Sequence, residues 1–90
     1  MTSVESAIAF ARSGREQFLQ RYKEFLAIPS ISTLPEHRPD VQRAADWLVA
    51  ELTRLNVPRA ELMPGIVHPI VYAERCEAPG KPTILVYGHY

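Results

Sequence analysis

Cysteine, charge imbalance and long apolar runs are all scarce in this chain, and each scarcity excludes a class of protein. Cys76 is the single cysteine, which rules out an internal disulfide, a Cys-x-x-Cys zinc knuckle and a dithiol redox pair, and fits a reducing cytoplasm. Ten basic and ten acidic residues cancel to a net charge of zero, and no run of like charge is long enough to track a phosphate backbone or an anionic leaflet. Nucleic acid and membrane are therefore not expected partners. The longest apolar run near the N-terminus, Ala7 to Ala11, is too short for a signal-peptide core or a membrane span. Internal repeats and low-complexity tracts are missing too, the eight prolines being scattered as punctuation.

What is present is ordinary globular material, 47% hydrophobic and 22% charged. Ninety residues make one small domain or a piece of a larger one. A chain of this size buries only roughly 60–65% of its unfolded surface, so marginal stability is expected.

Phe18, Tyr22, Phe25 and Leu26 share one stripe of a helix expected from about Arg15 to Ala27, which Pro29 ends. Val4, Ile8 and Ala11 point to a helical stretch before it, and Gly14 weakens the join by about 1 kcal/mol relative to alanine, so a kink is expected there. Residues 29–39 hold three prolines with Ser30, Ser32 and Thr33 and read as an irregular loop. A second helix is expected from Asp40. Val41, Ala44, Ala45, Leu48, Leu52 and Leu55 lie on one face of it, with Gln42, Arg43, Asp46, Glu51 and Arg54 on the other. Asn56 suits a left-handed C-cap, and Pro58 prevents continuation.

Beyond Pro58 the period becomes strand-like: residues 60–63, a Pro64-Gly65 turn, residues 69–74, a second turn at 77–81, then Thr83-Ile-Leu-Val-Tyr87. The first two read as neighbouring strands. The third does not alternate, as in a strand covered on both faces, and belongs in the middle of a sheet. The class is α/β, two N-terminal helices followed by three strands. The sheet is incomplete, because the third strand demands neighbours that ninety residues scarcely supply.

His89 stands just past that third strand, where open α/β sheets place their reactive groups. One imidazole cannot hold zinc, which takes four ligands, or three and a water. His37 and His68 sit in proline-flanked turns without a partner at i+2 or i+4 and read as structural. Asp40 has a helix-start role and Asp46 lies on a polar face. Trp47 is expected to seal its helix against the sheet, and Cys76 to be an unactivated thiol in a turn. Ser30 and Ser32 lack the glycine-flanked elbow of a nucleophile. No residue of this chain is read as catalytic.

Three segments, Phe25 to Ser32, Arg43 to Leu48 and Lys81 to Tyr90, resemble in order and spacing the start of the co-catalytic zinc peptidases, the superfamily of carnosinase-like dipeptidases, aminoacylase, acetylornithine deacetylase and succinyl-diaminopimelate desuccinylase. The resemblance covers essentially the whole chain. It implies that residues 1–90 are the N-terminal part of a metallopeptidase catalytic domain, truncated before its remaining catalytic part and its dimerisation domain. In that family the strand ends in His-x-Asp, the His binding one metal and the Asp bridging two. By this resemblance His89 is the first zinc ligand and Tyr90 the x, while the bridging Asp, the glutamate general base and the other ligands come later. The complete enzyme is implied to be a cytoplasmic homodimer that hydrolyses dipeptides or N-acyl amino acids, using a water activated by two zinc ions roughly 3.5–4 Å apart. Residues 35–38 look most like the carnosinase-like dipeptidases. These ninety residues alone are expected to be inactive and not to bind zinc tightly. Two alternatives stand beside this reading: the start of an α/β-hydrolase, disfavoured by the order Gly88-His89 and by two helices preceding the strands, and a non-catalytic α/β interaction module.

Overall fold

The first helix begins where its sequence offers a cap. Thr2 accepts a hydrogen bond from the Glu5 N–H at 3.0 Å, and the Glu5 carboxylate accepts one from the Thr2 N–H, a reciprocal capping box that satisfies two orphan donors. The computed structural model describes residues 2–90. Helix α1 runs over Ser3–Ser13 and α2 over Arg15–Leu26, with the break at Gly14. Glycine fits this joint because a Cβ there would lie 2.9 Å from the Phe18 ring and 3.3 Å from the Phe10 carbonyl. The Phe10 and Phe18 rings meet across it, 5.9 Å apart.

A 3₁₀ turn at Pro35–His37 leads into α3, Arg38–Arg54. The helix therefore starts two residues before Asp40, because Pro39 is tolerated in a first turn whose N–H groups have no intrahelical acceptor. Asp40 is not the cap. It lies in the first turn, near the positive end of the helix dipole, with its carboxylate 2.9 Å from His37 Nδ1 and 3.6 Å from Arg43 Nη1. At the other end Asn56 adopts φ 60°, and the Asn56 and Val57 N–H groups donate to the carbonyls of Thr53 and Leu52. That double bond is the Schellman motif, which closes α3 as expected.

Strands β1 (Arg59–Met63) and β2 (Ile70–Glu74) pair antiparallel, Arg59 opposite Glu74 and Met63 opposite Ile70. The Arg59 guanidinium donates to Glu61 at 2.9 Å and Glu74 at 2.8 Å and lies over the Tyr72 ring. These two carboxylates, Glu61 foremost, raise its pKa above the ordinary arginine value. Helix α3 packs on the hairpin through Val41, Ala44 and Ala45, which are buried. The two alanines let the helix backbone approach the sheet. With Ile28 they are the buried apolar residues among those described.

The α/β class and the incomplete sheet stand as read, but among the described residues the strand count is corrected from three to two and the helix count from two to three, Gly14 dividing α1 from α2. Residues 83–87 form no ladder, and Ile84, Leu85, Val86 and Tyr87 are each at least 80% exposed. The physical reason is that a strand buried on both faces acquires its conformation from neighbours, and no second strand stands beside this segment. Trp47 is also corrected: its ring packs 5.4 Å from Phe25 and under the Arg21 guanidinium, joining α3 to α2 rather than to the sheet. The remaining stripe of α2, including Phe18, Tyr22 and Leu26, is exposed.

Candidate functional site

A cavity of about 690 Å³ opens beside β2. Its floor is the apolar side of α3, through Val41, Leu48 and Leu52; one wall is β2, through Ile70, Val71 and Ala73; the opposite wall is residues 86–90. Ser32, His68 and His89 complete the lining. Two loops and the segment after residue 83 thus converge at one mouth. A second cavity of about 290 Å³, lined by Arg75, Cys76, Lys81 and Ile84 among others, holds no imidazole.

His89 is exposed at the mouth of the larger cavity. Its Nε2 lies 3.1 Å from Tyr87 Oη, and the two rings meet edge-on at 5.3 Å. The spacing of two residues puts both side chains on one side of the extended backbone. If the phenol accepts from Nε2–H, the Nδ1 lone pair is left free for a Lewis acid, the arrangement in which one ring nitrogen is oriented by a hydrogen bond while the other ligates. Tyr90 is held differently. Its hydroxyl donates to the Pro69 carbonyl, and burial raises its pKa.

His68 was assigned a structural role from sequence, and it has one: its Nε2 lies 3.2 Å from the Ser32 carbonyl, tying the loop before α3 to the loop before β2. It also shares the cavity with His89, a juxtaposition that no local spacing announces. His37 is spent on Asp40 and stands apart from this cavity. Cys76 is exposed, its sulfur 3.9 Å from a Glu74 carboxylate oxygen. Ser30 does not line the cavity, whereas Ser32 contributes its backbone carbonyl to His68.

The donor set does not fit a metal centre by itself. Among the described residues no group of three or more His, Cys, Asp or Glu side chains converges as a metal site. The cavity offers two imidazoles and no carboxylate, while a two-metal centre requires a bridging carboxylate. Also among the described residues, no helix is long and apolar enough to cross a membrane.

Comparison with known proteins finds partial similarity to dipeptidases. No family model matches the chain, and no solved structure matches it significantly. Over 84% of its length the chain is similar to metallodipeptidases and a related dipeptidase. A Cys-Gly metallodipeptidase of Candida albicans is 35% identical over 88 residues. A Cys-Gly metallodipeptidase of Schizosaccharomyces pombe is 29% identical over 85 residues, and a cysteinylglycine-S-conjugate dipeptidase of Corynebacterium striatum is 31% identical over 84. Each alignment takes in 84% of this chain but only 17–18% of the relative. The chain thus spans less than a fifth of the length of these proteins.

Proposed function

We propose that residues 1–90 are the N-terminal part of the catalytic domain of a zinc-dependent dipeptidase, and that His89 is one of its metal ligands. The supporting observation is the similarity to dipeptidases over 84% of the chain, which carries the reading from fold class to activity. The reading is also supported by the position of His89 on an extended segment at the mouth of a cavity. The proposed substrates are dipeptides, favoured over N-acyl amino acids because the similar proteins carry dipeptidase names.

Since among the described residues His89 and His68 are the only cavity imidazoles and neither is joined by a carboxylate, this reading assigns the remaining ligands of the two-zinc site and its general base to polypeptide outside these residues. His89, joined by those outside ligands, would hold the zinc, which would supply a polarised water and a Lewis acid for the scissile carbonyl. The contribution of this chain is positional. Tyr87 orients the imidazole of His89, and the Tyr90–Pro69 hydrogen bond ties the end of the segment to the loop before β2, across the cavity from the apolar side of α3.

The test has two arms. The isolated ninety residues with added zinc are expected neither to hydrolyse Cys-Gly nor to bind zinc stoichiometrically at micromolar concentration. In a longer polypeptide that contains them and is active, His89→Ala is expected to lower activity by more than about 100-fold, beyond the loss typical of an outer-shell partner. Undiminished activity of that variant, or tight zinc binding by the isolated chain, overturns the assignment.

A further inference from the structure

The exposed apolar run and the free edge of β2 are already set in one register. The Lys81 N–H donates to the Ala78 carbonyl at 3.1 Å, and Gly80, preceded by Pro79, has φ 76°. Proline at the second position and a positive φ at the third define a type II turn. Counting outward from this turn, one residue at a time along both arms, Cys76 meets Thr83, Arg75 meets Ile84 and Pro69 meets Tyr90. Arg75, Cys76, Thr83 and Ile84 do line one cavity together, and the Tyr90 hydroxyl does donate to the Pro69 carbonyl. Turn, near arm and far end thus agree on one antiparallel register, along the edge that β1 leaves free. The prolines agree as well. The Lys81–Ala78 bond makes that pair a hydrogen-bonded one, so ladder bonds recur at every second pair. Pro82 and Pro69 both fall at the pairs between, where no N–H is called for.

The ladder itself is open. Among the described residues no backbone hydrogen bond joins 83–90 to β2, and a cavity whose lining holds no Asp, Glu, Lys or Arg separates them beside α3. A type II turn splays the arms it joins. The turn alone therefore does not close the hairpin, and a neighbour on the outer side of the segment has to.

We propose that residues 83–90 are a strap that closes on β2 in this register when polypeptide outside these residues covers its outer side. The inference rests on the reading of residues 1–90 as part of a longer domain. Directly opposed residues share a face, so closure turns Ile84 and Val86, with Val71 and Ala73, toward the apolar side of α3, and the cavity is their seat. Tyr87 and His89 turn the other way, beside Tyr72 and Ile70, which are exposed. A slip of one residue would exchange the two faces and turn the imidazole onto α3. The register therefore decides that His89 is presented at the rim of the cavity, on the face of the sheet away from α3.

The test uses a longer, active polypeptide that contains these residues, with Cys76→Ser to remove the thiol beside the strap. Ala73→Cys with Val86→Cys, directly opposed in this register, is expected to form a disulfide on mild oxidation, mapped by mass spectrometry of the digest. Ala73→Cys with Ile84→Cys is a diagonal pair, about 7–8 Å apart, beyond disulfide reach, and is expected to stay reduced. Amide exchange of the unsubstituted polypeptide checks the same register without any replacement. The N–H groups of Leu85, Tyr87 and His89 are expected to exchange about 100-fold or more slowly there than in the ninety residues alone. Bridging of the diagonal pair in preference to the opposed one, or equal exchange in the two polypeptides, overturns the proposal. Loss of activity in His89→Ala without bridging at 73 and 86 would remove the strap and leave the functional reading standing; bridging there with an undiminished His89→Ala variant would do the reverse.

Discussion

Glu51 is held by two arginines from two helices. Its carboxylate accepts from Arg54 at 2.6 and 3.2 Å and from Arg21 across the α2–α3 contact. With only 15% of its side chain exposed, its pKa is lowered to about 2, the Arg54 hydrogen bonds being the largest cause and Arg21 the next. A carboxylate with a depressed folded-state pKa contributes stability that is fully present above its unfolded value and is lost as protons bind. The loss here falls between about pH 4.5 and pH 2. Solvent around the half-exposed guanidiniums screens the pair, leaving a contribution on the order of 1–2 kcal/mol. Glu51→Gln is expected to remove that amount at pH 7 and to flatten the acid limb of stability in urea titrations. An unchanged acid limb overturns this account. At this scale the sequence was legible only locally. His89 could be singled out because its position after an unbroken apolar run is a local fact, whereas the Ser32–His68 bond spans 36 residues and Arg21 reaches Glu51 over 30. Neither pairing leaves a trace in local spacing.

Helix α3 organises the molecule, and its ends show how a sequence marks an element. The spacing of Val41, Ala44, Ala45, Leu48, Leu52 and Leu55 marks its apolar side, because 3.6-residue periodicity is a property of the segment alone, although Leu55, at the C-cap, is exposed. Its start was less legible, since a proline that usually breaks helices is accepted in the first turn. Asn56 marked its end correctly. A left-handed conformation costs an ordinary residue roughly 1 kcal/mol, asparagine less and glycine nothing. Asn56→Ala is thus expected to destabilise the fold by about 1 kcal/mol, and Asn56→Gly to be neutral within about 0.5 kcal/mol. Equal losses from both substitutions, measured by thermal melts, would show that the side chain of Asn56 matters rather than its backbone. The packing side of α3 makes a separate prediction. Ala44 is fully buried where α3 meets the hairpin, so Ala44→Leu is expected to push the helix off the sheet and cost about 1–3 kcal/mol. The segment 83–87 shows where local reading stops. Its unbroken apolar run states that it is meant to be covered, but whether anything covers it depends on what lies beside it.

At the scale of the whole chain, little is buried. The radius of gyration is 15.6 Å, against about 12 Å for a compact domain of this length. The buried apolar set is four residues, two of them alanine, while the outer stripe of α2 and the 83–87 segment face solvent. Unfolding the single chain therefore exposes less new surface than its length implies, and the denaturant dependence of stability scales with that surface. Under monomeric conditions the urea m-value is expected below about 1 kcal/mol/M, with a broad transition. Amide protection should be confined to α3, β1 and β2, and residues 83–90 should exchange like an unstructured peptide. A steep, two-state transition, with protection extending through 83–90, would mean instead that this segment packs on its own chain.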